Sequence, residues 1–249
     1  MGILVNTAYT MLVEGKRRPY HGTVLQLGRQ SILFSYNALA GLAAHVGFEL
    51  HPTDVIDPDA RLNDIQFFTA LGFNEVLSME YGTDEEASFV WDMNNLTDTE
   101  WDERFDFIYD GGTIEHIFHI PNALTNVCKM LKIGGRVVHD NGITGVVDHG
   151  FYAIQPTLYY DFYVANGFET NLFTVSKIEL SKWLTHTGTQ TEYVPGQYDY
   201  FNCFVLSDSH VHNAVCFVTK KQAFEAMVVP QQSIWARAAQ AKASQSRAA

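Results

Sequence analysis

The stretch 105–138, FDFIYDGGTIEHIFHIPNALTNVCKMLKIGGRVV, decides the fold. It opens on a β-favouring run, 105–110, that stops at Asp110-Gly111-Gly112. A helix is expected over 121–132, with Pro121 in its first turn, where a missing N–H costs nothing. Gly134-Gly135 ends that helix, and 135–139 (GRVVH) predicts the next strand. Strand, helix and strand joined this closely imply a right-handed crossover between parallel strands.

The same alternation extends outward. Residues 22–28 (GTVLQLG) read as a short strand ending in glycine, followed by a helical stretch near 31–46. A helix at 61–72 stops at Gly72, and strands follow at 74–80 (NEVLSME) and 88–92 (SFVWD). After 140 the pattern changes to helical segments near 156–166 and 176–186, then strands at 198–206 and 213–219 around the turn SDSHVH. The expected architecture is α/β: a doubly wound, mainly parallel seven-stranded sheet with a terminal antiparallel hairpin. Residues 1–21 read as an N-terminal helical extension, 22–220 as the sheet-bearing domain, and 221–249 as a C-terminal helix and flexible tail.

The 249 residues carry 28 acids against 16 bases, a net charge of −12. That balance argues against nucleic-acid partners and anionic membranes. The excess is local. Residues 75–115 hold 13 acids and one base, Arg104, while the rest of the chain holds 15 of each sign. Cys128, Cys203 and Cys216 form no CxxC pair and suit a reducing compartment. From Gln30 to Leu50 the only charge is Glu49, but the interruptions at Ser31, Ser35, Asn37 and His45 favour a buried helix over a membrane span. The N-terminus lacks a basic start before its short apolar run, and Asn6 stands where a myristoylation signal has Ser or Thr. A cytoplasmic protein is expected.

In a doubly wound sheet, ligands bind beyond the carboxyl ends of the strands. Those ends are Gly28-Arg29-Gln30-Ser31, Glu80, Asp92, Asp110-Gly111-Gly112 and His139-Asp140-Asn141. Four of the five present a carboxylate on one rim. A carboxylate after the second strand can accept both hydroxyls of a ribose, and one after the third can accept from an adenine amino group.

VLQLG (24–28), LSMEYG (77–82), VWDMNN (90–95), FDFIYDGGTIEH (105–116) and LKIGGRVV (131–138) together resemble class I S-adenosylmethionine-dependent methyltransferases, over roughly residues 20–220. The resemblance implies a Rossmann-like domain and methyl transfer to an oxygen or nitrogen of a small molecule or sugar. It also implies S-adenosylmethionine as cofactor: Gly28 and Gln30 at its methionine end, Glu80 on the ribose, Asp92 and Met93 at the adenine, Asp110 and Gly111 alongside. The DGGTxEH loop with HGFY (149–152) is similar to a bacterial methyltransferase-like family associated with surface-polysaccharide biosynthesis. One departure stands out. Where the family has GxGxG, Gly28 is followed by Arg29, Gln30 and Ser31, and a Cβ there costs close approach and positive φ. This leaves open a non-catalytic methyltransferase-like binding or assembly subunit. An NAD-type dehydrogenase would need a G-x-G-x-x-G fingerprint, which is absent.

Two metal readings compete. Asp110, Asp140 and Asn141 resemble the Mg2+ ligands of catechol-type O-methyltransferases, although Asp140-Asn141-Gly142 reads equally well as a turn. His116 and His119, three apart, with His139 and His149 bracketing the next loop, offer nitrogens to Zn2+ or iron. Without a metal, His116 or His149 is the candidate general base, and Tyr152 beside His149 could contact an acceptor hydroxyl. His210 and His212 read as solvated turn residues. The aromatic set Phe151, Tyr159, Tyr160, Phe162 and Tyr163 reads as core.

Overall fold

A computed structural model describes residues 2–183, 185–195 and 209–233. The chain begins with β1 (Gly2–Ile3), α1 (Val5–Arg17), β2 (Thr23–Leu27), β3 (Ser31–Ile32), α2 (Tyr36–Val46) and α3 (Asp64–Leu71). It continues through β4 (Glu75–Glu80), β5 (Phe89–Val90), β6 (Phe105–Asp110), α4 (Ile120–Met130) and β7 (Leu131–Thr144). The last elements are α5 (Pro156–Ala165), β8 (Phe168–Glu179), β9 (Thr189–Glu192) and β10 (His210–Lys220).

Local chemistry accounts for the helix ends. Asn63 and Gln66 form a reciprocal capping box at the start of α3, and Gly72 closes it at φ 111°. The Ser35 side chain accepts from Ala38 N at the start of α2, which ends at left-handed Gly47. Pro121 sits in the first turn of α4.

Eight of the described strands form one sheet in the order β5-β4-β2-β6-β7-β10-β8-β9. From β5 to β7 every pairing is parallel, while β10 lies antiparallel between β7 and β8. The fold is therefore mixed α/β with a large, mainly parallel sheet, consistent with a Rossmann-like arrangement. The chain leaves β2 toward β4 and β5, then returns to β6 on the other side. Strand order thus reverses at β2, and a crevice opens there beyond the strand ends.

Three expectations are corrected. The sheet has eight described strands rather than seven. The helix expected from residue 176 does not begin there: β8 runs through Glu179, pairing Ser176 with Asn213 and Ile178 with Val211, and a single 3-10 turn follows at Leu180–Lys182. Its β-branched and aromatic residues (Phe173, Val175, Ile178) are buried against that pairing, which overrides the helical spacing of SKIELSKWL. The expected hairpin strand 198–206 lies outside the described residues. The neighbours of β10 are β7 and β8. Strand β10 also takes in both hairpin histidines: His212 is buried, its Nδ1 2.8 Å from Thr144 Oγ1, so it is no solvated turn residue.

Apolar side chains fill both faces of the sheet. One core gathers Leu25, Ile108 and Val137 under α4 and α5, and the other gathers Val24, Phe107 and Val138 under α1 to α3. Helix α1 also brings a charge inside: Glu14 Oε1 lies 3.2 Å from the Arg136 guanidinium. Burial raises the Glu14 carboxyl above its ordinary range, and Arg136 opposes the rise. Arg136 is further held over the Tyr20 ring at 4.7 Å. Among the described residues no helix is long and apolar enough to cross a membrane.

Candidate functional site

A cleft of about 460 Å3 opens beyond the ends of β2, β4, β5 and β6. That size falls in the range of roughly 300–1,000 Å3 typical of small-molecule sites. Gly28 forms its floor at φ 75°, a backbone state that glycine adopts without strain, and Gly28 N donates to Met79 O at 2.8 Å. Glu80 and Asp92 stand in the wall with the apolar surfaces of Trp91 and Met93, and no Lys or Arg lines the cleft among the described residues. Glu80 Oε1 accepts from Arg29 N at 2.6 Å, which ties the β2 loop to the end of β4. Asp92 is ordered by its own turn: Oδ1 accepts from Asn94 N at 2.9 Å. A carboxylate has about four acceptor positions, so both groups retain capacity for a ligand.

The loop after β2 solves its missing glycines by folding its side chains away. Arg29 turns to Asp64, Nε to Oδ2 at 3.2 Å, and reaches Glu85 O with its guanidinium at 3.1 Å. Gln30 folds back, donating from Nε2 to Gly28 O at 2.9 Å. Ser31 and Ile32 then pair in parallel with Gly2 and Ile3, so the N-terminus is stitched to this loop.

At the far end of the cleft, His116 meets His149 edge to face, their ring centroids 4.9 Å apart and their planes inclined at 66°. Burial, with His149 second, lowers the His116 pKa and favours the neutral imidazole. Glu115 lies beneath them, 3.9 Å from His149 Nε2. Its carboxyl is pushed up to about 8 by burial, with Asp110 adding to the rise. Phe118, Phe151 and Tyr152 form an exposed aromatic lip beside the pair, with the Tyr152 hydroxyl donating to Phe118 O at 2.9 Å.

No family model matches the chain, and no curated protein matches it. Solved structures align with it at long range. The YcgJ protein of Bacillus subtilis aligns over 86% of this chain and 98% of its own, with a TM-score of 0.46 and 12% identity. The 1,6-didemethyltoxoflavin-N1-methyltransferase of Burkholderia thailandensis aligns over 88% and 78%, with a TM-score of 0.43 and 12% identity. A SAM-dependent methyltransferase of Thermotoga maritima aligns over 88% and 91%, with a TM-score of 0.41 and 18% identity. Likenesses this distant carry no argument about chemistry, which rests on the site itself.

Of the expected cofactor residues, Gly28, Glu80, Asp92 and Met93 line the cleft. Gln30, Asp110 and Gly111 are not among its lining residues. Asp110 is fully buried: Oδ1 accepts from Thr113 N and Ile114 N, and Oδ2 from His139 Nδ1 at 2.7 Å. Gly111 packs so closely on Tyr109 and Gln30 that a Cβ there would fall 2.4 Å from the Tyr109 ring.

The expected Mg2+ set of Asp110, Asp140 and Asn141 is not assembled. Strand β7 continues through Thr144, so residues 140 and 141 point to opposite faces. Asp140 accepts from the Thr7 hydroxyl of α1, whereas Asn141 accepts from Tyr159 of α5 and donates to Glu115 Oε2 at 2.7 Å. The histidine expectation is redistributed. His116 pairs with His149, not His119, whose ring lies against Phe118. His139 is buried, stacked on Tyr159 with its Nε2 2.6 Å from the Tyr163 hydroxyl. Sequence reasoning missed Glu115 as a site residue and took Tyr159 and Tyr163 as core alone. The signal for Glu115 was its place beside His116 in the DGGTIEH loop.

Proposed function

We propose that this chain is an S-adenosylmethionine-dependent methyltransferase acting on an oxygen or nitrogen of a small molecule or sugar. The carrying observation is the pair Glu80 and Asp92 on one wall of the cleft at the strand-order reversal. The donor set fits the cofactor's adenosine: a carboxylate after β4 for the ribose hydroxyls, and one after β5 beside Trp91 and Met93 for the adenine. An acidic cleft also favours a sulfonium cation over its neutral product. Methyl transfer is an in-line displacement that needs alignment and removal of the acceptor proton. His116 and His149, at the open end, are the groups for that proton, and the aromatic lip suits stacking on a planar ring or the apolar face of a sugar.

The loop geometry favours a second reading, a non-catalytic subunit of the same fold. Arg29, Gln30 and Ser31 carry side chains where the family has glycines, and Gln30 is tied to Gly28 O within the loop itself. Calorimetric titration with S-adenosylhomocysteine separates the two. One-to-one binding, weakened by Glu80→Ala, supports the enzyme. Absence of binding at millimolar ligand supports the subunit.

A further inference from the structure

Glu115, His116 and His149 form a constellation that the methyl-transfer reading uses only in part. Each offers one ligand atom, and the three atoms lie within 4.8 Å of one another. A divalent cation holds imidazole nitrogen and carboxylate oxygen at about 2.0–2.2 Å, so two of its tetrahedral ligands lie roughly 3.3–3.6 Å apart. The pair Glu115 Oε1 and His149 Nε2, at 3.9 Å, comes within a few tenths of an ångström of that spacing. Rotation of an imidazole closes the remainder.

The surroundings are those of a supported ligand set. Glu115 Oε2 is held by Asn141 Nδ2 at 2.7 Å, and Asn141 Oδ1 in turn by the Tyr159 hydroxyl at 2.5 Å. This orients the carboxylate with Oε1 toward His149, as second partners orient metal ligands generally. The loop carrying His149 is pinned over Glu115 by Tyr152 N, which donates to Glu115 O at 3.2 Å. A side chain at Gly150 would collide with that same carbonyl, 2.9 Å from an added Cβ. Asp148, just before His149, holds a left-handed φ of 63°, a conformation that costs energy in a residue bearing a Cβ.

We propose that Glu115, His116 and His149 bind a first-row divalent transition metal of the Zn2+ class, its remaining positions open to the cleft and solvent. Two imidazoles and one carboxylate select such ions over Mg2+ or Ca2+, which take oxygen ligands. His116 lines the cleft and half of the His149 side chain is exposed, so an acceptor oxygen could complete the coordination. A bound hydroxyl would lose its proton more readily there than in water, so with the ion in place the metal takes over the part that a free histidine base plays without it. The site rests on these three residues and not on the methyl-transfer reading.

The test titrates Zn2+ alone into chelator-stripped protein by calorimetry and records Co2+ binding by visible absorption. One equivalent is expected to bind, with Co2+ bands of low coordination number. His116→Ala and His149→Ala should each lower Zn2+ affinity at least about tenfold. His149 lies on an exposed loop, so His149→Ala should keep the wild-type melting curve. His186→Ala, at an exposed histidine elsewhere, should leave binding unchanged. Zn2+ binding that is absent, or equal in wild type and both variants, would overturn the site. S-adenosylhomocysteine titrated into the same metal-free protein reports on the cofactor cleft separately.

Discussion

Strand β7 sends His139 and Asn141 toward α5 and Asp140 toward α1, and the two polar clusters that result are built differently. On the α5 face the hydrogen bonds close on themselves. Asp110 accepts from two backbone amides and His139, His139 meets Tyr163, and Asn141 joins Tyr159 to Glu115. On the α1 face, Asp140 takes the Thr7 hydroxyl, but the Asn6 amide, the Tyr109 hydroxyl and Gln30 Oε1 are buried without a protein partner. Buried polar groups are nearly always paired, and an unpaired one costs about 1–3 kcal/mol. The α5 face is therefore a finished support for the rim residues Glu115 and His116. The α1 face holds the N-terminal helix at some expense.

Substitutions sharpen that contrast. The largest effect belongs to the buried Glu14–Arg136 ion pair of the α1 face. Arg136→Ala strands Glu14 in the interior and should cost about 3–5 kcal/mol in urea unfolding. Replacing both partners, Glu14→Leu with Arg136→Met, should recover most of that loss. A single variant as stable as wild type would mean that Glu14 reaches solvent.

Asp140 comes next, through pH. Burial raises its carboxyl from 3.8 to about 6. The folded state therefore binds the proton more tightly than the unfolded chain, and the charged form is a cost above pH 6 that fades as pH falls toward 4. Asp140→Asn should stabilise the protein by up to roughly 3 kcal/mol at pH 7.5 and by nothing below about pH 4. Equal stabilities at pH 7.5 would contradict the assignment of Asp140 to a buried face.

A smaller, paired effect compares two tyrosines. Tyr159→Phe removes the donor to Asn141 and should cost about 1–3 kcal/mol. Tyr109→Phe removes a hydroxyl without a protein partner and should cost nothing or stabilise slightly. Equal losses in thermal denaturation would erase the distinction between the faces.

Much of the fold was legible in sequence because strong local signals agreed with the tertiary outcome. Pro121 opens α4, Gly72 closes α3, and β2, β4 and β6 fall where apolar runs meet turn residues, whereas Gly134-Gly135, expected to end the helix, lie inside β7, which begins at Leu131 directly after α4. Strand β8 was not legible, because its identity depends on pairing with β10, some 40 residues downstream. The site divides in the same way. Glu80, Asp92 and His116 stand at strand ends and loops that topology alone brings to one rim. The Mg2+ expectation failed on a boundary: ending β7 at His139 leaves Asp140 and Asn141 in a turn, whereas continuing it to Thr144 turns them to opposite faces. Beyond its place beside His116, nothing local sets Glu115 apart from the 13 acids in 75–115, since the loop at 146–152 folds back over it from elsewhere in the chain.

That acidic excess flanks the cleft, and two of its members carry the central claim. Calorimetric titration of S-adenosylhomocysteine into wild type and Glu80→Ala tests it most directly. One equivalent should bind the wild type, and loss of the ribose-facing carboxylate should weaken binding at least about tenfold, since hydrogen bonds to charged groups contribute about 1.5–3 kcal/mol. No heat of binding at millimolar ligand, or the same affinity in Glu80→Ala, would contradict the assignment of this cleft to the cofactor.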